Sequence, residues 1–298
     1  MKILSDIGDY VLVATGREGR VLAYAAYTSS LVSELQRRHQ TWPVTTAALG
    51  RVATMGALFT PTLKHENHQV TLQIQGDGPA GKIVVVATGS GTVRGYVDNP
   101  FVDLPLNAIG KLDVGEAVGH EGSLYVVKDL GLREPYRGSV PLVSGEIGED
   151  FAYYFVMSEQ VPSAVAVGVL VAPDLSVLAA GGILIQMMPD ATSDDIAIVE
   201  RRVAELPQVT SLLHAGEMPE DLLVHILGGD VKILAKHPIR FACTCGKERL
   251  GRILLSLGKQ ELTEMVEEQG QAELICHFCG GKYLFDRDEL QTLCDAAK

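Results

Sequence analysis

Along the stretch QVTLQIQ, residues 69–75, apolar Val70, Leu72 and Ile74 alternate with glutamine and threonine. A period of two predicts a half-buried strand. A turn holding Asp77 and Gly78 follows, then KIVVVA at residues 82–87, so the two runs read as a hairpin. Residues 124–127 and 164–171 predict further strands. Helical patterns occupy about residues 30–38 and 44–58, and also GEDFAYYFVMSEQ at 148–160, with Pro162 beyond it. The longest apolar region, residues 161–188, is broken by Pro162, Pro173, Asp174, Gly181 and Gly182. It therefore predicts two buried strands joined by a Pro-Asp turn rather than a membrane span. Residues 1–189 together predict an α+β domain built on a largely antiparallel sheet with helices.

Residues 190–239 differ in texture. Ser193 is placed to cap a helix bearing Ile196, Val199, Val203 and Leu206 at helical spacing, and Pro207 stops it. Pro219 opens a second short helix, EDLLVHIL, which ends at Gly228 and Gly229. Such a helical linker has too little material for a core of its own and must lie on something. Because residues 164–171 are apolar on both faces, the helix around residues 196–206 is the expected cover.

Residues 240–298 form the third stretch. Leu250, Ile253, Leu254 and Leu257 share one helical face, which Gly258 ends; Leu262, Met265 and Val266 form the next stripe, which stops at Gly270. Asp286 and Glu289 have capping-box spacing for a last helix carrying Leu290, Leu293, Cys294 and Ala297 on one side.

Composition sharpens this picture. With 298 residues, 47% of them hydrophobic, and a mean hydropathy of +0.17, the chain can bury a large core and exceeds the comfortable size of one domain. Its net charge of -12 disfavours nucleic acid as a partner, since phosphate binding draws on clustered Lys and Arg. Asp6 and Asp9 interrupt the apolar run that a secretion signal requires, so a cytoplasmic protein with reduced thiols is expected.

Four of the five cysteines are crowded into FACTCGKERL and ICHFCGG. Cys243 and Cys245 form a CxC pair, and Cys276 and Cys279 a CxxC pair followed by Gly280 and Gly281, which suit the turn of a zinc knuckle. A helical hairpin between them brings the pairs together. Four thiolates then supply the corners of a tetrahedron with Zn–S of about 2.3 Å. His277 is a further donor, but four sulfurs fill such a site. Two sulfurs of one pair on one ion stand about 3.8 Å apart, whereas a disulfide requires about 2.05 Å. Ligation and disulfide formation within a pair exclude one another, so the module can act as a switch.

These strings, together with IQGDGPAG, VRGYVDNP, GEIGEDFAYYFVMSEQVPSAV and AGGILIQMMP, resemble the heat-shock protein 33 family of redox-regulated chaperones. The resemblance spans about residues 73–285. It implies an ATP-independent holdase that is inactive while reduced and zinc-bound. Cys243, Cys245, Cys276 and Cys279 would bind one zinc ion, and oxidation would pair Cys243 with Cys245 and Cys276 with Cys279. It also implies that the linker unfolds on activation, that unfolded client proteins are the partners, and that the active form is a homodimer. Gly246 and Lys247 stand where the family often has Ser and Arg.

Other motifs carry less. GDGPAGK at residues 76–82 spells part of a phosphate loop, but Ile83 and a strand follow where a helix is required. His65 and His68 lie in a polar connection, Cys294 reads as a packed small hydrophobe, and the aromatic cluster Phe151, Tyr153, Tyr154 and Phe155 as core. No GxSxG elbow or HExxH motif is present, so no enzyme active site is expected. The rival reading is a zinc-ribbon nucleic-acid or transcription-associated module. From Phe241 onward, however, seven basic residues face ten acidic ones, against phosphate tracking.

Overall fold

A computed structural model describes residues 8–297; Asp6 and Lys298 lie outside them. The chain divides after Ala242 into two compact units. In the first, the strands are β1 (Tyr10–Gly16), β2 (Val21–Tyr27), β3 (Gln69–Gly76), β4 (Lys82–Thr88), β5 (Thr92–Val97), β6 (Gly122–Asp129), β7 (Tyr136–Pro141), β8 (Ser163–Val171), β9 (Val177–Met187), β10 (Lys232–Pro238) and β11 (Arg240–Phe241). Its helices are α1 (Ser29–His39), α2 (Pro43–Phe59), α3 (Val114–Val118), α4 (Gly148–Met157), α5 (Ser193–Glu205), α6 (Val209–His214) and α7 (Pro219–Leu227). The second unit holds α8 (Lys247–Leu255), α9 (Lys259–Glu264) running into a π turn (Met265–Gln269), β12 (Ala272–Ile275), β13 (Lys282–Phe285) and α10 (Arg287–Ala296).

The α+β class expected from the sequence is the class the chain adopts, with two sheets in its first unit. One has the order β10-β1-β2-β9-β8 and the other β11-β5-β4-β3-β6-β7. All pairs are antiparallel except β11 with β5. Helix α2 lies between the sheets, against β8 and β9 of one and β4 and β5 of the other. Its sequence is apolar all round, as a helix without a solvent face requires, and only Pro43 and Arg51 escape burial. Gly50 and Gly56 permit this: a Cβ on them would meet Val169 and Val32 at 2.7 Å, or Val85 at 2.8 Å. Phe59, Phe151, Tyr154 and Phe155 pack into the same core.

The opposite face of the first sheet has its own core. Its cover differs from the expected one. Helix α6 lies on β8 and β9 and α7 on β1 and β2, whereas α5 packs against α7. Glycines set the approach: a Cβ on Gly168 would stand 2.7 Å from Thr210 Cγ2, and one on Gly181 2.5 Å from Leu213 Cδ1. A six-residue helix between Pro207 and Gly216 leaves almost no periodicity to read, which is why this element was not anticipated. Helix α5 is fastened instead by charge. Buried Asp195 accepts hydrogen bonds from Arg20 Nε and Arg17 Nε, both at 2.7 Å, and caps its helix with Thr192. The guanidinium of Arg20, then that of Arg17, holds the Asp195 carboxyl far below the usual carboxylate range.

The GDGPAGK segment is the β3–β4 turn and leads into β4, not a helix; Gly76 and Gly78 there lie against the backbone at Val118. In the second unit, Leu250 and Leu254 are buried with Leu262, Val266, Phe285, Leu290 and Cys294. Ile253 and Leu257 are half exposed, because the short helix turns them away from this small core.

Asp9 provides a pH test of the first unit. Its buried carboxylate accepts from the N–H groups of Ser30 and Leu31 at the start of α1. Burial outweighs those bonds and raises its pKa from 3.8 to about 6. The unfolded chain thus binds fewer protons between these values. Stability is greatest below the lower one and falls by up to about 3 kcal/mol as pH rises through about 6. In urea unfolding followed from pH 4 to 7, Asp9→Asn is expected to flatten this slope relative to the parent.

Candidate metal centre

Each cysteine pair is positioned by a different local structure. Cys243 and Cys245 lie in the irregular segment before α8, whose N-cap is Gly246. Cys276 and Cys279 close the hairpin of β12 and β13, in which Leu274 faces Tyr283 and Ile275 faces Lys282. The turn between them is held by backbone bonds from Cys276 N to Gly281 O and from Gly280 N to Cys276 O, at 2.9 and 2.8 Å. Gly280 adopts φ +67°, the left-handed region that favours glycine. A Cβ on Gly281 would come within 3.2 Å of Cys279 Sγ. The two glycines after the CxxC therefore shape the turn and leave room for its second sulfur.

The four sulfurs converge, all within 4.8 Å of one another. Two edges between the motifs are short: Cys243 to Cys276 at 3.7 Å and Cys245 to Cys279 at 3.2 Å. An ion bound tetrahedrally by thiolates needs edges of about 3.8 Å. The donor set and its spacing thus fit such an ion. His277 contributes no atom to the cluster.

Tyr283 had not been singled out from the sequence. Its hydroxyl lies 3.1 Å from Cys245 Sγ. The signal available was only a tyrosine two places beyond the glycine pair, on the hairpin strand that returns past the sulfurs. Burial works to raise the Cys245 thiol, but hydrogen bonding to Tyr283 and the neighbouring thiols outweighs it and brings the pKa down to about 7. Burial, then hydrogen bonding to Cys245, pushes Cys279 up to about 12. Cys243 is raised, chiefly by burial. The bond to Cys245 pushes Tyr283 itself up to about 12, keeping its proton available for donation. Cys245 therefore ionises more readily than Cys243 or Cys279.

Cys294 stands apart from this cluster. It is buried on α10, with Sγ 3.2 Å from Thr263 Oγ1, as expected of a packed small residue. His65 and His68 stack edge to face at 4.6 Å between α2 and β3 and form no metal cluster among the described residues. No described helix is long and apolar enough to cross a membrane.

The fold has close counterparts. The profile of the family described as Hsp33 protein matches residues 9–286. The 33 kDa chaperonin of Halalkalibacterium halodurans is 53% identical over 98% of this chain and 100% of its own length. That of Bacillus subtilis is 50% identical over 96% and 98%. The crystal structure of the 33 kDa chaperonin of Thermotoga maritima superposes with a TM-score of 0.91 at 38% identity, covering 97% of this chain and 99% of that one. Matching in sequence, length and three-dimensional structure, the chain belongs to the Hsp33 family.

Proposed function

We propose that this protein is a redox-regulated, ATP-independent holdase whose reduced form carries one zinc ion and is inactive. The observation that carries this reading is the convergence of four sulfurs within 4.8 Å in a unit with a very small core. Cys243, Cys245, Cys276 and Cys279 hold the ion, which when bound supplies the cross-link between CxC segment and hairpin. Soft thiolates select zinc among the common divalent ions. A module of this size has a core worth about 3 to 5 kcal/mol, while structural zinc contributes on the order of 10 to 16 kcal/mol to such domains. The fold of residues 240–298 therefore depends on ligation.

Oxidation removes the ligands. Cys243 pairs with Cys245 and Cys276 with Cys279. Each thiolate pair gives two electrons to hydrogen peroxide, which takes two protons from the solvent and leaves as two waters; each pair gains one sulfur–sulfur bond, and the ion is released to the solvent. The module unfolds, the linker at residues 190–239 loosens, and the first sheet loses α6 and α7. Apolar residues of the core domain, residues 1–189, are then exposed to unfolding client proteins. The active form is a homodimer in the cytoplasm, and binding rather than catalysis is its activity.

Peroxide with mild heat is expected to liberate one zinc ion per chain, read with a chromogenic chelator, and to suppress light scattering by an aggregating test protein. Zinc release without suppression would remove the chaperone assignment. Replacing Cys276 by Ser should lower zinc retention by at least tenfold in chelator competition, since one of four anionic ligands is lost.

The linker's role has a separate test. Gly168→Val places a side chain where Thr210 now packs, and overpacking of this kind costs about 1 to 3 kcal/mol. The reduced, zinc-loaded variant is expected to bind an apolar fluorescent dye that the parent does not. Unchanged dye binding would speak against α6 as the cover.

A further inference from the structure

Strand β8 is an edge of the first sheet. The carbonyl of Ala166 points across to β9, 2.8 Å from where a Cβ of Gly182 would sit, whereas the carbonyl of Val165 approaches the Cβ position of Gly148, off the sheet, at 3.6 Å. Antiparallel ladders alternate, so the N–H and C=O groups of Val165, Val167 and Val169 all face outward. Among the described residues no hydrogen bond reaches them. Edge strands usually carry a proline, an inward-pointing charge or a bulge that discourages pairing. Residues 163–170 of β8 have no proline, no charge and an unbroken register with β9.

A groove of about 670 Å³ runs along this edge. Leu106, Lys111 and Leu112 also line it, giving it a second wall, and Thr210 of α6 lines it too. Arg51 and Glu146 pair within it at 2.5 Å, and Arg51 Nε is buried with no hydrogen-bond partner. Unpaired backbone groups at strand spacing call for an extended backbone. A two-walled groove admits one segment, not the edge of a second folded sheet. From Val165 to Val171 the edge spans about 20 Å, room for six or seven residues.

We propose that this groove seats an extended, uncharged, β-branched segment of an unfolded chain, which adds to β8 as a further strand. The inference rests on the holdase reading and names what that activity recognises: exposed backbone in strand conformation, together with apolar side chains. Regulation follows from position. Thr210 lines the groove and also packs on Gly168, so departure of α6 opens the groove along its length.

The test uses the oxidised full-length protein and a fluorescently labelled ten-residue peptide of alternating valine and threonine. Its counterpart has every peptide nitrogen methylated, which keeps the side chains and removes the donors. Anisotropy is expected to show binding of the first peptide and at least tenfold weaker binding of the second, since one or two backbone hydrogen bonds account for about that factor. Val169→Pro removes one outward N–H and leaves the ladder with β9 intact. It should weaken binding of the first peptide about fivefold to tenfold with an unchanged circular dichroism spectrum. Equal binding of the two peptides, or no binding of either, overturns the proposal, and so does a folded Val169→Pro that binds like the parent. If that variant fails to fold, the peptide pair on the unaltered chain decides. Light scattering on the same samples separates the two readings. Suppressed aggregation with no discrimination between peptides removes the groove and leaves the holdase standing; unsuppressed aggregation removes the holdase, and the peptide pair still judges the groove.

Discussion

Four sulfur atoms within 4.8 Å of one another form the constraint on which the second unit depends. Ionised together they repel, and neutral together they leave a poorly packed polar centre. A shared cation satisfies all four at once. Around them the apolar core is a single small cluster from short helices and one hairpin, with little to spare if the centre fails. Sulfurs of one motif approach those of the other at 3.7 and 3.2 Å, so the centre brings together segments more than thirty residues apart. Loss of those cross-ties is felt by the whole unit.

The first unit is organised by steric fit. Its central helix has no polar face and is accommodated by glycines at its closest contacts, and the cover helices lie on glycines of the sheet. These contacts have no side-chain slack on the glycine side. A helix seated this way is either in place or displaced. The Asp195 pairs with Arg17 and Arg20 hold α5 to the β1–β2 turn, so the cover has a charged fastening at one end and apolar packing elsewhere.

What could be read from the sequence follows from periodicity. Strand β3 alternates because one face is buried and the other is not. Strands β1 and β2 were not anticipated, because YVLVATG and VLAYAAY are buried over most of their length on both faces and carry no clean period. Strand β10 escaped for the opposite reason: KILAKHP is an exposed edge whose place is set by pairing with β1. Helix α2 was legible from its length and α6 was not, for want of it. The cysteines were legible through spacing alone, since spacing is what a ligand set requires. Tyr283 was not, because the approach of its hydroxyl to Cys245 depends on how the hairpin is aimed, which no local pattern records.

The first sheet separates two cores that share a wall but few side chains: alternate residues of β8 and β9 point to α2 on one side and to the cover on the other. Stripping one layer therefore leaves the strands still anchored by the helix behind them. The sheet is thus a plate with a packed layer on either side, and the side chains that fix one layer are not those that fix the other.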